Sequence, residues 1–250
     1  MAGKYQKQEY WQMLDRQKEI ISRDEQILLR NSQILIVGCG GIGGAAAEML
    51  ARMGVGKIRA VDKDHFEISN LNRQLMSNSD DIGRLKAEVT REALLKVNPL
   101  LEVEAVSQEL TPENAASLLE GSTIVIDALD NLFSRIILSR EARKRSVPYI
   151  HGAIHGTQGQ VTTFTSRTIS YEEMFKLPSQ GKDLTPEIVE AVGKLSREVP
   201  PSISSVPNIV GCIQAFEAMK IITTKGSPLL APDMLTFDLL KKNPFSLVQF

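Results

Sequence analysis

QILIVGCGGIGGAAAEMLARMGVGKIRAVD, residues 33–62, decides the fold. An apolar run of strand length, Ile34 to Val37, enters a turn made of glycines. The pattern then predicts a helix over residues 45–53 that stops at Gly54 to Gly56, and a second strand from Lys57 that ends at Asp62. Strand, helix and strand in this span make one β-α-β unit. The turn carries GxGxxG spacing as Gly38, Gly40 and Gly43. Glycine there lets backbone N–H groups and a helix N-terminus approach a phosphate that any Cβ would hold away. Asp62 stands where a carboxylate can accept hydrogen bonds from ribose hydroxyls. The fingerprint points to an adenosine-type ligand without saying which one. A glycine turn kept only for tight packing is the alternative.

Downstream the alternation continues. A connection over residues 63–81 precedes a helix over 82–96, a strand over 101–107, a helix opened by a Thr111 cap and Pro112, a strand over 123–129, a helix over 132–145 and a strand over 148–150. Strands alternating with helices predict a mostly parallel, Rossmann-like α/β sheet covered on both faces. The character then changes. Residues 159–166 are strand-like, 167–208 are irregular and proline-rich with a helix over 186–196, 209–223 form an apolar helix, and 235–237 and 245–250 read as closing strands that extend the sheet in antiparallel fashion. Upstream, residues 5–30 read as one or two amphipathic helices with Tyr10, Trp11, Leu14, Ile20, Ile21, Ile27 and Leu28 as the apolar stations. The resulting division is a helical arm (1–30), a Rossmann-like nucleotide-binding core (31–165), a crossover or lid (166–208) and a C-terminal helix with closing strands (209–250).

The 250 residues are 42% hydrophobic and 24% charged, with a formal net charge of -1. Basic residues are spread along the chain, so no nucleic-acid surface is expected. The first apolar run is short and follows a charged, Gln-rich stretch, which fits neither a signal peptide nor a membrane span; the cytoplasm is the expected compartment. Cys39 and Cys212, without a CxxC pair, predict no disulfide framework and no structural zinc.

A denser constellation follows the second strand: Asp62, Asp64, Asn70, Asn72, Arg73, Gln74 and Lys86. Hydride transfer has no need of Arg and Lys converging on a phosphate turn. Nucleotidyl transfer does, because negative charge grows on phosphoryl oxygens and donors must be fixed there beforehand. For Asn72 and Gln74 a solvated surface role is an equal alternative. Asp127 and Asp130, in IVIDALDN (124–131), lie where open parallel sheets bind ligands. Asp130 reads either as a Mg²⁺ ligand or as a helix cap, and Asp127 either as part of the site or as a carboxylate bonded to loop backbone.

Taken together, YxxxxDRQ (10–17), ILIVGCGGIGG (34–44), VDKDHFEISNLNRQ (61–74), DIGRLKAE (81–88), Asn98-Pro99, IVIDALDN, HGAIHGTQGQVTTF (151–164) and IVGCIQAFEAMKII (209–222) closely resemble the ThiF, MoeB and HesA family of ubiquitin-activating-like adenylyltransferases. The resemblance implies binding of MgATP and attack on its α-phosphate by the C-terminal carboxylate of a small ubiquitin-like sulfur-carrier protein ending in Gly-Gly. Carried over residue by residue, Gly38, Gly40, Gly41 and Gly43 would form the phosphate turn and Asp62 would hold the ribose. Asp64, Gln74 and Leu129 would line the nucleotide site, while Asn70, Arg73 and Lys86 would contact the triphosphate. Asp130 would hold Mg²⁺, and Arg16 would reach across a homodimer to the neighbouring subunit's γ-phosphate.

The chain departs from that family in lacking its two zinc-binding CxxC pairs and any cysteine over residues 151–211. The expectation is an enzyme that stops at the adenylate. Other readings are activation of a small-molecule carboxylate, an NAD-dependent oxidoreductase and a catalytically silent binding protein.

Overall fold

The computed structural model describes residues 7–195 and 201–250. Two helices, α1 (Lys7–Met13) and α2 (Arg23–Asn31), flank a 3₁₀ turn at Asp15–Gln17. The body begins with β1 (Gln33–Val37), α3 (Gly41–Arg52), β2 (Lys57–Val61), α4 (Lys86–Val97), β3 (Glu102–Val106), α5 (Ala115–Leu118) and β4 (Ile124–Asp127). It continues through α6 (Leu132–Lys144), β5 (Tyr149–His155), β6 (Gln158–Phe164), α7 (Tyr171–Met174), α8 (Pro186–Gly193), α9 (Ser205–Thr223), β7 (Asp233–Asp238) and β8 (Phe245–Gln249).

All eight strands form one sheet in the order β3-β2-β1-β4-β5-β6-β7-β8. The first five are parallel, and β5 to β8 pair antiparallel. Strand order reverses between β1 and β4, which opens a crevice at their C-terminal ends. Register sets Val37 beside both Val61 and Asp127, and Asp127 beside His151. The parallel strands are apolar on both faces because both are covered. Ile34, Ile36, Ile58, Ile124 and Ile126 join α3, α4 and α9 in one core; Leu35, Val37, Val61 and Val125 join α5, α6 and α7 in the other.

Element boundaries differ from the sequence reading for local reasons. Helix α3 starts at Gly41 rather than near Ala45, because its glycines serve close packing: a Cβ on Gly43 would stand 1.8 Å from the Gly38 carbonyl oxygen. Helix α4 starts at Lys86 rather than Ile82, since Gly83 has φ +84° and its N–H, like that of Phe66, ties this stretch back to the preceding loop. Thr111 accepts from Asn114 N–H and donates its own N–H to the Asn114 side chain, so it closes a turn and leaves α5 as a single turn of helix. Strand β5 runs on to His155 because β6 pairs along its whole length. The crossover holds α8 from Pro186, where a helix is expected, and in addition the short α7; Ser196, the expected end of α8, lies outside the described residues. Helix α9 begins four residues early, at Ser205.

The arm packs on its own body. Tyr10 donates to the Gly54 carbonyl at 2.6 Å, and Gln26 donates to Tyr10 and to the Met53 carbonyl. Of the apolar stations of the arm, Ile20, Ile27 and Leu28 are exposed on this chain, whereas Tyr10, Leu14, Ile21 and the neighbouring Leu29 are buried. The capping box of Ser22 and Glu25 starts α2 in the orientation that turns Gln26 and Leu29 inward. Residues 1–6, also assigned to the arm, lie outside the described residues.

Candidate active site

Sequence and topology meet in a cavity of about 600 Å³ at the crevice between β1 and β4. The glycine turn forms one wall. Gly38 has φ +97° and its Cβ would stand 2.4 Å from the Ala128 carbonyl oxygen, so the turn presses directly on the β4 loop. Gly40 caps α3, and Gly41 lies against Pro207 of α9. The helix N-terminus, with unpaired N–H groups, opens into the space.

Asp62 and Asp64 line the second wall. Asp62 accepts Cys39 N–H at 2.7 Å on one oxygen and Asp64 N–H at 2.8 Å on the other, which locks the two loops together and leaves one lone pair on each oxygen. Burial pushes its carboxyl up, against those two N–H groups and Lys86. The same burial, with Asp62 beside it, pushes the Cys39 thiol up and keeps it a packing group. Lys86 opens α4 with its side chain largely buried and its ammonium 3.6 Å from Asp64. Arg73 reaches the cavity while its guanidinium holds the Ser69 carbonyl and the Asn72 side chain, both at 2.8 Å. Gln74 lines the cavity with its side-chain oxygen buried and unpartnered.

The third wall is the β4–α6 loop, with Leu129, Asp130, Asn131 and Arg135. Asn131 caps α6 by accepting Ser134 N–H, so Asp130 is not the cap and its carboxylate is left to the cavity. Asp127 is wholly buried; it accepts Leu129 N–H at 3.0 Å, the loop-bonding role, and also hydrogen bonds from Tyr149 and His151.

Of the residues chosen from sequence, Gly38, Gly40, Gly41, Asp62, Asp64, Arg73, Gln74, Lys86, Leu129 and Asp130 all line this one space. Three do not. Gly43 packs α3 on the glycine turn, and Asn70 spends its side-chain oxygen on Glu67 N–H. Arg16 is exposed on the 3₁₀ turn of the arm.

The sequence reading missed Lys63, Arg135, His155 and Lys194, which also line the cavity. Lys194 follows α8, in a stretch read only as a lid. Arg135 carries a weak signal, a cation between Ser134 and Ile136 in the first turns of α6, apart from the basic residues Arg140, Arg143 and Lys144 of its second half. Lys63 stands between two aspartates and offered none; it pairs with Glu109 at 2.7 Å.

These walls fit a nucleoside triphosphate: a glycine-rich helix N-terminus, a carboxylate with spare lone pairs, several cations including Arg73 and Lys86, and a cavity of suitable size. Among the described residues no group of three His, Cys, Asp or Glu could hold a metal, so a closed protein cage is not offered. One free carboxylate beside a phosphate site is how Mg²⁺ is ordinarily held. No helix among the described residues is long and apolar enough to cross a membrane.

The model of the ThiF family matches residues 14–250. A sulfur carrier protein adenylyltransferase of Thermus thermophilus is 34% identical over 214 residues, covering 83% of this chain and 74% of that protein. A SAMP-activating enzyme of Haloferax volcanii is 35% identical over 195 residues, covering 78% and 68%. The crystal structure of E. coli MccB superposes with a TM-score of 0.78 over 99% of this chain and 71% of that one, at 22% identity, a likeness of fold.

Proposed function

The chain belongs to the ThiF family, and from that premise we propose that it is an ATP-dependent adenylyltransferase that activates the C-terminal glycine carboxylate of a small ubiquitin-like sulfur-carrier protein. The observation that carries this reading is the convergence of the glycine turn, Asp62, Arg73, Lys86 and Asp130 on one cavity. A carboxylate oxygen of the carrier attacks the α-phosphorus of ATP. The bond from that phosphorus to the bridging oxygen breaks, and pyrophosphate leaves with the electron pair. The attacking carboxylate is already ionised near neutral pH, so no base is needed. What the site must supply is position and charge stabilisation.

In this reading the turn from Gly38 to Gly41 receives phosphate and Asp62 receives the ribose. Arg73 and Lys86 stabilise the charge that grows on the phosphoryl oxygens. Asp130 would hold Mg²⁺, which supplies further neutralisation of the triphosphate. Asn70, away from the cavity wall, acts by fixing the loop that bears Arg73. Arg16 is donated across a homodimer to the neighbouring site; its exposure on the arm, beside the exposed apolar Met13 and Ile20, supports that assignment.

A protein tail is favoured over a small carboxylate by a second, open groove of about 370 Å³ along β5 to β8. It shares Ala153, Ile154 and His155 with the nucleotide cavity, and its walls include Gln158, Gln160, Asp238 and Lys241. An extended Gly-Gly tail fits such a groove; a small molecule would need a closed pocket. The test is ATP–pyrophosphate exchange with a panel of Gly-Gly-ended carriers and, separately, small carboxylates. Exchange with a carrier that vanishes in Asp130→Ala supports the proposal. Exchange with a small carboxylate alone would replace the carrier by that substrate, and no exchange under any acceptor would remove the activity.

A further inference from the structure

Beneath the nucleotide cavity lies a polar cluster that the adenylation chemistry does not itself require. Asp127 ends β4 with no solvent exposure. One carboxylate oxygen accepts Leu129 N–H at 3.0 Å. The other accepts the Tyr149 hydroxyl at 2.7 Å and faces His151 Nδ1 at 2.7 Å, with Arg135 Nε 3.5 Å away. The Arg135 guanidinium in turn donates to the Leu129 carbonyl and, at 3.1 Å, to the Gly152 carbonyl. Both the N–H and the C=O of Leu129 are therefore held by one buried ion pair. The next residue is Asp130, and the one after it, Asn131, is fixed as the cap of α6. Asp130 is strung between two anchored neighbours.

His151 sets the geometry of that ion pair. A carboxylate only accepts hydrogen bonds, so Nδ1 carries the proton. Nε2 is then an acceptor, and Gln160 Nε2 lies 3.2 Å from it as the donor. Tyr171 and Phe175 flank the ring at centroid distances of 5.2 and 5.5 Å. Both nitrogens are satisfied and the ring cannot turn. The charges nearest the imidazole are Asp127 and Arg135, and the neighbouring hydroxyls are those of Tyr149 and Tyr171. Burial and Arg135 hold the imidazole below the usual histidine range, with Asp127 opposing. Burial alone would raise the Asp127 carboxyl, but Arg135, His151 and Tyr149 outweigh it and hold the carboxyl below its usual range.

We propose that His151 is a positioning residue: by fixing the Asp127 carboxylate, it aligns the Asp127–Arg135 pair that pins Leu129 and so aims Asp130 into the nucleotide cavity. The part of this that concerns Mg²⁺ rests on the adenylation reading; the pinning of Leu129 does not. The experiment compares full-length wild type with His151→Leu, which keeps bulk and removes both nitrogens, and His151→Asn, whose amide can still donate to Asp127. Hydrogen exchange at the Leu129 amide is read first, without any ligand. Protection should fall about tenfold or more in His151→Leu and return to within about twofold of wild type in His151→Asn. The Mg²⁺ concentration for half-maximal pyrophosphate exchange should rise about tenfold in His151→Leu and recover likewise, as for other residues that orient a metal ligand. Unchanged Leu129 protection in a folded His151→Leu protein overturns the proposal, as does an Asn variant no better than Leu. Should His151→Leu fail to fold, Tyr149→Phe, which removes one hydroxyl from the same carboxylate oxygen, replaces it and must loosen Leu129 in the same direction. If the wild type shows no pyrophosphate exchange, the adenylation reading fails, and the Leu129 comparison still decides the positioning role.

Discussion

The two halves of the sheet solve different problems. In the parallel half, β1 to β5, both faces are covered, and the strands end in a crevice lined mostly by the segments that follow β1, β2 and β4. In the antiparallel half, β5 to β8, the sheet runs out to a strand whose five residues are all exposed, with Phe245 and Leu247 more than half exposed, and the groove between it and the cavity is lined by polar side chains from strands far apart in sequence. The first half encloses a cavity between packed elements. The second presents an edge and a groove, the kind of surface that selects a partner.

If that division is right, substitutions in the two halves should separate catalysis from acceptor choice. The largest effect is expected at Lys86. Removing a buried cation from the phosphate wall should lower the rate of pyrophosphate exchange about 10³-fold with every acceptor, while the Tm stays near wild type. A loss confined to one acceptor would break the comparison.

Next comes Gly43→Ala. Its Cβ would collide with the Gly38 carbonyl, backbone on both sides, so the substitution should cost about 3 kcal/mol of stability or more by denaturant unfolding. The same change at Gly156, where φ is +61° but no atom lies within 4 Å, should cost only about 1 kcal/mol. Equal losses would show that the glycine turn is no more tightly packed than the open β5–β6 turn.

Lys241→Glu, on the groove wall, should lower kcat/KM for a carrier about tenfold and leave the KM for ATP unchanged. An effect on ATP instead would merge the two halves into one site.

The smallest effect is pH dependence of stability. His151 has a folded pKa below its unfolded value of about 6.5, so the unfolded chain binds the extra proton first as pH falls. Its contribution is fully present above that value and is lost between it and the lower folded pKa. Asp127, with a folded pKa below about 3.8, adds a loss in the same direction at still lower pH. Tm should therefore fall between pH 7.5 and 5.5, and His151→Asn should flatten that decline.

How much of this was legible beforehand follows the same division. The β-α-β unit, the glycine turn and the charged loop could be read because each is local: strand period, turn chemistry and spacing lie within one stretch of chain. Asp127 was read with both roles open, and the structure gives it the backbone-bonding one together with a buried network that no local pattern encodes. His151 and Arg135 come from different elements and meet Asp127 only because β5 lies in register beside β4 and α6 folds back over both. Ile20, Ile27 and Leu28, apolar by helical spacing yet exposed on this chain, show the complementary point. Helical spacing reports that a face is apolar, whereas what covers it depends on partners elsewhere in the fold.

By itself, then, the sequence determined the glycine turn, the order of strands and helices and most of the side chains that line the cavity beside that turn, because steric and hydrogen-bonding demands of a tight backbone turn act over a few residues. Tertiary structure alone decided which aspartate is buried and which faces the cavity, and that a polar groove runs from the sheet's open edge to that cavity. Residues 127 and 130 are three apart and chemically identical; their difference comes from the depth at which β4 ends, with Arg135, Tyr149 and His151 closing over the first and the cap at Asn131 releasing the second.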